Sequence, residues 1–177
     1  PYVAYSDREA TSMLGALTAM KFNGSSWETI GDAGFSNTQA KNMGIAIFGD
    51  EVLVTGINDS RKSTFGRRTL VVSNYKNGWT TDNLSLFGST LTSFSTLKYN
   101  GNKAYLYVLG LGDSKYSIFE YENSAWKTIC ENRLQENATH TYLTGANMDV
   151  APDGSLYLIN VDDADQADEY YPRLQRY

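Results

Sequence analysis

The 177-residue sequence contains one cysteine, Cys130, and one histidine, His140. A lone cysteine excludes an internal disulfide. The pair leaves almost no material for a Cys/His zinc site or a histidine-based proton relay. Only three prolines occur, which excludes a proline-rich linker. No apolar run approaches the roughly 18–20 residues of a membrane-spanning helix, so no membrane span is expected. A surplus of basic charge is missing too. The formal net charge is −5, which argues against nucleic acid as a partner. The start, Pro1-Tyr2-Val3-Ala4-Tyr5, is not a basic and apolar leader; a signal peptide is absent, already removed, or upstream of this sequence. What is present is 41% hydrophobic and 20% charged residues, the composition of a globular chain with a core. The length suits one domain or part of one.

The informative feature is a repeat. Tryptophans stand at 27, 79 and 126. A threonine follows each by two positions (Thr29, Thr81, Thr128), and a bulky apolar residue follows by eight (Phe35, Phe87, Leu134). A second word, an apolar run closing on aspartate, ends at Asp7, Asp59, Asp113 and Asp163. Its period of roughly 50 residues suits blades or solenoid turns rather than helical repeats. Within one period, β-branched and aromatic residues alternate with polar ones, and turn residues bound each run. The second repeat predicts strands a to d near Met43–Phe48, Glu51–Asn58, Thr69–Tyr75 and from Trp79. The third predicts them near Phe94–Tyr99, Ala104–Leu109, Tyr116–Tyr121 and from Trp126. Asn23-Gly24, Asn77-Gly78, Asn100-Gly101 and Pro152-Asp153-Gly154 suit tight hairpins. Four antiparallel strands per repeat predict an all-β fold, a β-propeller of four-stranded blades with about 3.5 blades in the chain. The blade repeats span about 1–42, 43–91, 92–145 and 146–177. Trp27, Trp79 and Trp126 read as structural repeat residues that fill the wedge between sheets.

The words Tyr2–Asp7, Lys21–Ser36 and Asn42–Asp50, with Asn23-Gly24, Trp27 and Gly34-Phe35-Ser36 among them, resemble the repeat of Kelch-like bacterial β-propellers. That resemblance implies a secreted, periplasmic or cell-surface protein of Bacteroidetes-type bacteria. It implies a fold more than an activity, because propellers serve many functions.

The first repeat lacks strand a and the fourth ends on strand c, at 170–177. The chain is therefore expected to be a segment of a larger ring, or to close with a second chain; a compact four-bladed ring is the alternative. The d–a and b–c connections carry the longer loops, where binding residues collect on a rigid scaffold. On that face the candidate ligand-binding residues are Asp7, Asp59, Arg61, Arg67, Arg68, Asp113 and Asp163. The aspartates read either as a ring for cations or sugar hydroxyls, or as caps of their own turns. Asp163, Asp165 and Asp168 lie in an acidic loop that offers Ca²⁺ several oxygens but lacks the glycine of a calcium-binding loop. No other cofactor is expected. Arg61, Lys62, Arg67 and Arg68 read as a clamp for an acidic ligand such as a uronate, or as a solvated surface.

No G-x-S-x-G elbow and no P-loop occurs, and His140 has no identifiable partner. No catalytic residue is assigned. The leading expectation is a non-catalytic binding or scaffold propeller with a glycan or protein partner. A polysaccharide hydrolase or lyase is one alternative, since paired carboxylates can come from different blades. A structural spacer is the other.

Overall fold

A computed structural model describes residues 1–9, 15–36, 38–59, 68–83, 91–101, 103–110, 115–134, 147–163 and 170–177. The described chain is all-β: fourteen strands form four antiparallel sheets. The first sheet is β1 (Tyr2–Asp7), β2 (Ala16–Phe22) and β3 (Trp27–Thr29), in that order. The second is the meander β4 (Ala40–Phe48), β5 (Glu51–Asn58), β6 (Leu70–Tyr75) and β7 (Trp79–Asn83). The third is the meander β8 (Thr92–Tyr99), β9 (Ala104–Gly110), β10 (Lys115–Glu122) and β11 (Ala125–Leu134). The fourth is β12 (Asn147–Val150), β13 (Leu156–Asp163) and β14 (Tyr170–Arg176). Each strand pairs with its neighbour in sequence, so the sheets are propeller-type blades. Among the described residues no helix is long and apolar enough to cross a membrane.

The chain divides into two compact units, Pro1–Leu91 and Thr92–Tyr177. In the first, Leu17 and Ala19 of β2 meet Val52 and Val54 of β5 and Val71 of β6. Alternation explains this. Residues two apart share a sheet face, and Leu17 and Ala19 point to the second sheet while Thr18 and Met20 point away from it. In the second unit, Tyr107, Tyr116 and Ile118 of the third sheet pack with Met148, Leu156 and Leu158 of the fourth.

The recurring tryptophan has one local setting. Each stands at the start of strand d directly opposite an aromatic residue of strand c: Phe22–Trp27, Tyr75–Trp79 and Tyr121–Trp126. Ring centroids lie 5.5, 5.2 and 5.0 Å apart, with interplanar angles of 53°, 54° and 55°. The wider surroundings differ. Trp79 stacks on Phe35 of the first sheet's return segment at 3.5 Å and 10°, and its Nε1–H donates to the Ile30 carbonyl at 2.7 Å. It fills a wedge between sheets as expected. Trp27 does not: it is 46% exposed, and its ring contact among the described residues is Phe22 of its own sheet. The reason is that no sheet among the described residues of this unit lies on that flank.

Strand a of the second blade starts at Ala40 rather than Met43. A register shift between Lys41 and Gly44, with Asn42 at φ 51°, interrupts the alternation there. The extra residues of a bulge conceal the strand's start from a period-two reading.

Candidate functional site

The long-connection end of the first unit is built by the segment between β3 and β4. After β3 the chain continues the ladder with Ile30 N–H donating to the Ala19 carbonyl at 2.9 Å. It then makes an excursion over 31–34, with Gly31 and Gly34 both at positive φ. It rejoins strand c where Phe35 N–H donates to the Leu17 carbonyl at 2.9 Å. Ser36 Oγ accepts from Leu17 N–H at 2.9 Å. Gly34 N–H donates to Thr18 Oγ1 at 2.8 Å. The hydroxyl of Thr18 donates in turn to Asp7 Oδ2 at 2.9 Å. Asp7 Oδ1 accepts from Glu9 N–H at 2.9 Å, which closes a turn over the end of β1. One carboxylate thus ties the β1–β2 connection to the β3–β4 segment.

Beside it lies an open depression of about 550 Å³. Tyr5, Asp7, Thr18, Thr29 and Ala33 line it. Ser6, Arg8 and Glu9 complete the lining. Tyr5 stands directly opposite Thr18 in the ladder and its hydroxyl meets Met20 Sδ at 3.6 Å. Burial raises the Tyr5 phenol above its ordinary value, and the Asp7 charge and a hydrogen bond to Asp7 add to the effect. All three causes favour the neutral phenol. The depression therefore offers an aromatic ring, several hydroxyls, two carboxylates and one guanidinium.

Asp59 is in a different position. It follows β5 by one residue, and its N–H donates to the Gln39 carbonyl at 2.7 Å. Its carboxylate faces Lys41 Nζ at 3.3 Å and Arg68 Nε at 3.7 Å. The ladder explains why. Gly15 N–H bonds the Asp7 carbonyl in the first sheet, and Arg68 N–H bonds the Asn58 carbonyl in the second, at 2.8 and 2.7 Å. Asn58, not Asp59, is thus the equivalent of Asp7. One residue of offset turns a side chain to the other sheet face, so Asp7 and Asp59 do not share one ring of carboxylates. Gly15 and Arg68 occupy the same left-handed conformation, at φ 88° and 65°.

Asp163 pairs with Tyr170 at the far end of the β13–β14 ladder. Arg61, Arg67, Asp113, Asp165 and Asp168 lie outside the described residues, so the structure neither assembles nor dismantles the basic clamp and the acidic loop. Among the described residues no three His, Cys, Asp or Glu side chains gather as a metal site. Sequence reasoning missed Tyr5 and Thr18. Their importance comes from the β1–β2 register, and the one available signal was the polar interruption of an otherwise apolar repeat word.

No protein-family model and no curated protein matches the sequence. Among solved structures, the chain is similar to a GH43 β-xylosidase/α-arabinofuranosidase from a compost microbial metagenome, at 13% identity and a TM-score of 0.46. The match covers 70% of this chain and 43% of that one. A second β-xylosidase matches at 11% identity and 0.46, over 70% of this chain and 44% of its own. A Trypanosoma rangeli sialidase matches at 14% and 0.43, over 91% of this chain and 30% of its own. The chain thus spans less than half the length of each of these three enzymes. The blade assignment rests on the ladders described above.

Proposed function

We propose that the chain is a non-catalytic, ligand-binding segment of a β-propeller that holds a glycan in the depression beside Tyr5. On this reading, in keeping with the resemblance to Kelch-like bacterial repeats, the segment belongs to an exported protein. One observation carries the reading: Asp7 is fully employed in structure, with one oxygen on Glu9 N–H and the other on the Thr18 hydroxyl. A carboxylate so engaged holds a turn and a tyrosine in place; a general acid or base needs access to the reacting group. The aromatic ring of Tyr5 suits the apolar face of a sugar, and Thr29, Arg8 and Glu9 supply donors and acceptors for its hydroxyls.

The test is a titration of the full chain with xylo-, gluco- and galacto-oligosaccharides, followed by amide NMR, with reducing ends assayed in the same samples. Saturable shifts at Tyr5, Arg8 and Thr29 are expected, with no new reducing ends. Tyr5→Ala removes the shifts while circular dichroism keeps its sheet signature. Reducing ends that accumulate, and that disappear in Asp7→Asn, make the chain part of an enzyme instead. Silence across all three sugar classes contradicts the reading and leaves a spacer.

A further inference from the structure

Three Asn-Gly pairs occur in the sequence, Asn23-Gly24, Asn77-Gly78 and Asn100-Gly101, and each turns the chain between two strands. They do not share one register. Phe22 pairs with Trp27 and Tyr99 with Ala104, so those two connections are four residues long and begin with the asparagine. Tyr75 pairs with Trp79, so the β6–β7 connection is the three residues Lys76-Asn77-Gly78, with the asparagine at its centre.

Register decides what each carboxamide does. At the head of a four-residue turn it reaches the N–H groups ahead of it. Asn23 Oδ1 accepts from Ser25 N–H and Ser26 N–H, both at 2.9 Å, and from the Ser25 hydroxyl at 3.0 Å. Its Nδ2 donates to Ser26 Oγ and Glu28 Oε1, and Asn23 N–H closes the turn on the Ser26 carbonyl at 3.0 Å. Asn100 repeats the plan: its Oδ1 accepts from Lys103 N–H at 3.2 Å, and its N–H donates to the Lys103 carbonyl at 3.1 Å. Asn77 has no such turn ahead of it, because β7 begins two residues later. It is exposed, and among the described residues its carboxamide forms no hydrogen bond. Gly78 has φ 151°, and open space lies where a side chain would stand.

We propose that Asn77 is a site of spontaneous modification by cyclisation, and that the fold holds the other two Asn-Gly pairs back. Gly78 N attacks Asn77 Cγ. The N–Cγ bond forms as Cγ–Nδ2 breaks, and ammonia leaves with the Gly78 proton. Water then opens the cyclic imide. Addition at Cγ restores the ordinary chain with aspartate. Addition at the Asn77 main-chain carbonyl leaves isoaspartate, whose backbone runs through Cβ and Cγ. Water is the only co-reactant and nothing is oxidised. Glycine leaves the attacking nitrogen approachable, and the unbonded carboxamide leaves the carbon free to turn toward it. The place gives the product its effect. Trp79 follows Gly78 directly, stacks on Phe35 and donates to the Ile30 carbonyl. Isoaspartate lengthens the turn by a methylene beside that contact and so loosens the junction of the first and second sheets.

Peptide mapping by mass spectrometry tests this on the full chain aged in mildly alkaline buffer, with a denatured sample aged beside it. In the folded chain the mass gain of an NH₂-to-OH exchange is expected at Asn77 about tenfold faster than at Asn23 or Asn100, whose carboxamides must first break hydrogen bonds. Fragmentation should find both aspartate and isoaspartate there. In the denatured sample the three sites should react at similar rates, because the turns that protect two of them are gone. The isoaspartate fraction, separated by its added charge, should unfold at lower denaturant than fresh protein, while Asn77→Asp, which has the charge without the methylene, keeps the fresh midpoint. Equal rates at the three sites in the folded chain, a silent Asn77, or aspartate without isoaspartate overturns the proposal. An isoaspartate form as stable as Asn77→Asp overturns its effect on the junction. None of this rests on the glycan reading.

Discussion

Gly31 lies where the first blade's return segment passes under the second blade's tryptophan. Its φ is 64°, and a Cβ there would sit 2.8 Å from both Trp79 Nε1 and Tyr75 Cε2. Alanine at this position meets a left-handed backbone, at about 1–2 kcal/mol, and must also move the indole. Gly31→Ala is expected to destabilise the protein by about 1–3 kcal/mol in denaturant unfolding; an unchanged midpoint would mean that the indole does not approach this backbone. Arg68 shows that glycine is not obligatory at every left-handed position, since Arg68 takes the role of Gly15 while its guanidinium faces Asp59. Two tyrosines contribute to the alkaline limit. Tyr5 is raised chiefly by burial and then by Asp7, and Tyr105 chiefly by burial and then by Glu120. The folded state therefore holds these protons longer than the unfolded chain does. The stabilisation is intact below the unfolded value, about 10, and is lost as pH rises from there through the folded values. Unfolding midpoints should fall above pH 10, and less steeply in Tyr5→Phe. Equal slopes in the two proteins would contradict the assignment for Tyr5.

The element that repeats is the c–d hairpin with its tilted aromatic pair, and what it does depends on its neighbour. Trp79 adds a stacked ring and a hydrogen bond from the preceding sheet; Trp27 has neither among the described residues. A double-mutant cycle on Phe35→Leu and Trp79→Phe should return a coupling of about 0.5–1.5 kcal/mol. Zero coupling would show that the two rings pack independently. This element was legible in sequence, since the tryptophan, the threonine two positions on and the apolar residue eight positions on all recur. Why the eighth position matters was not legible: Phe35 acts on the next blade's tryptophan, 44 residues away in the chain by their numbering, and no local period carries that relation. The aspartate word misled for a related reason. Asp7 and Asp59 match as letters, but the hydrogen-bond ladder sets them one residue apart, on opposite faces.

For the molecule as a whole, strand number and order followed from alternation and turn residues, because each sheet pairs only neighbours in sequence. Strand a of the second blade was read short at its bulge. The Tyr5 depression was not legible, because its groups come from three strands and a return segment whose register no single stretch reveals. The central claim is that the contact between the first two sheets, marked by Trp79, builds the core of the first unit. The most direct measurement is fluorine NMR of the chain labelled with 5-fluorotryptophan. Three resonances are expected, and Phe35→Leu should move that of Trp79 alone. A Trp79 signal indifferent to Phe35 and as open to solvent as that of Trp27 would contradict the account.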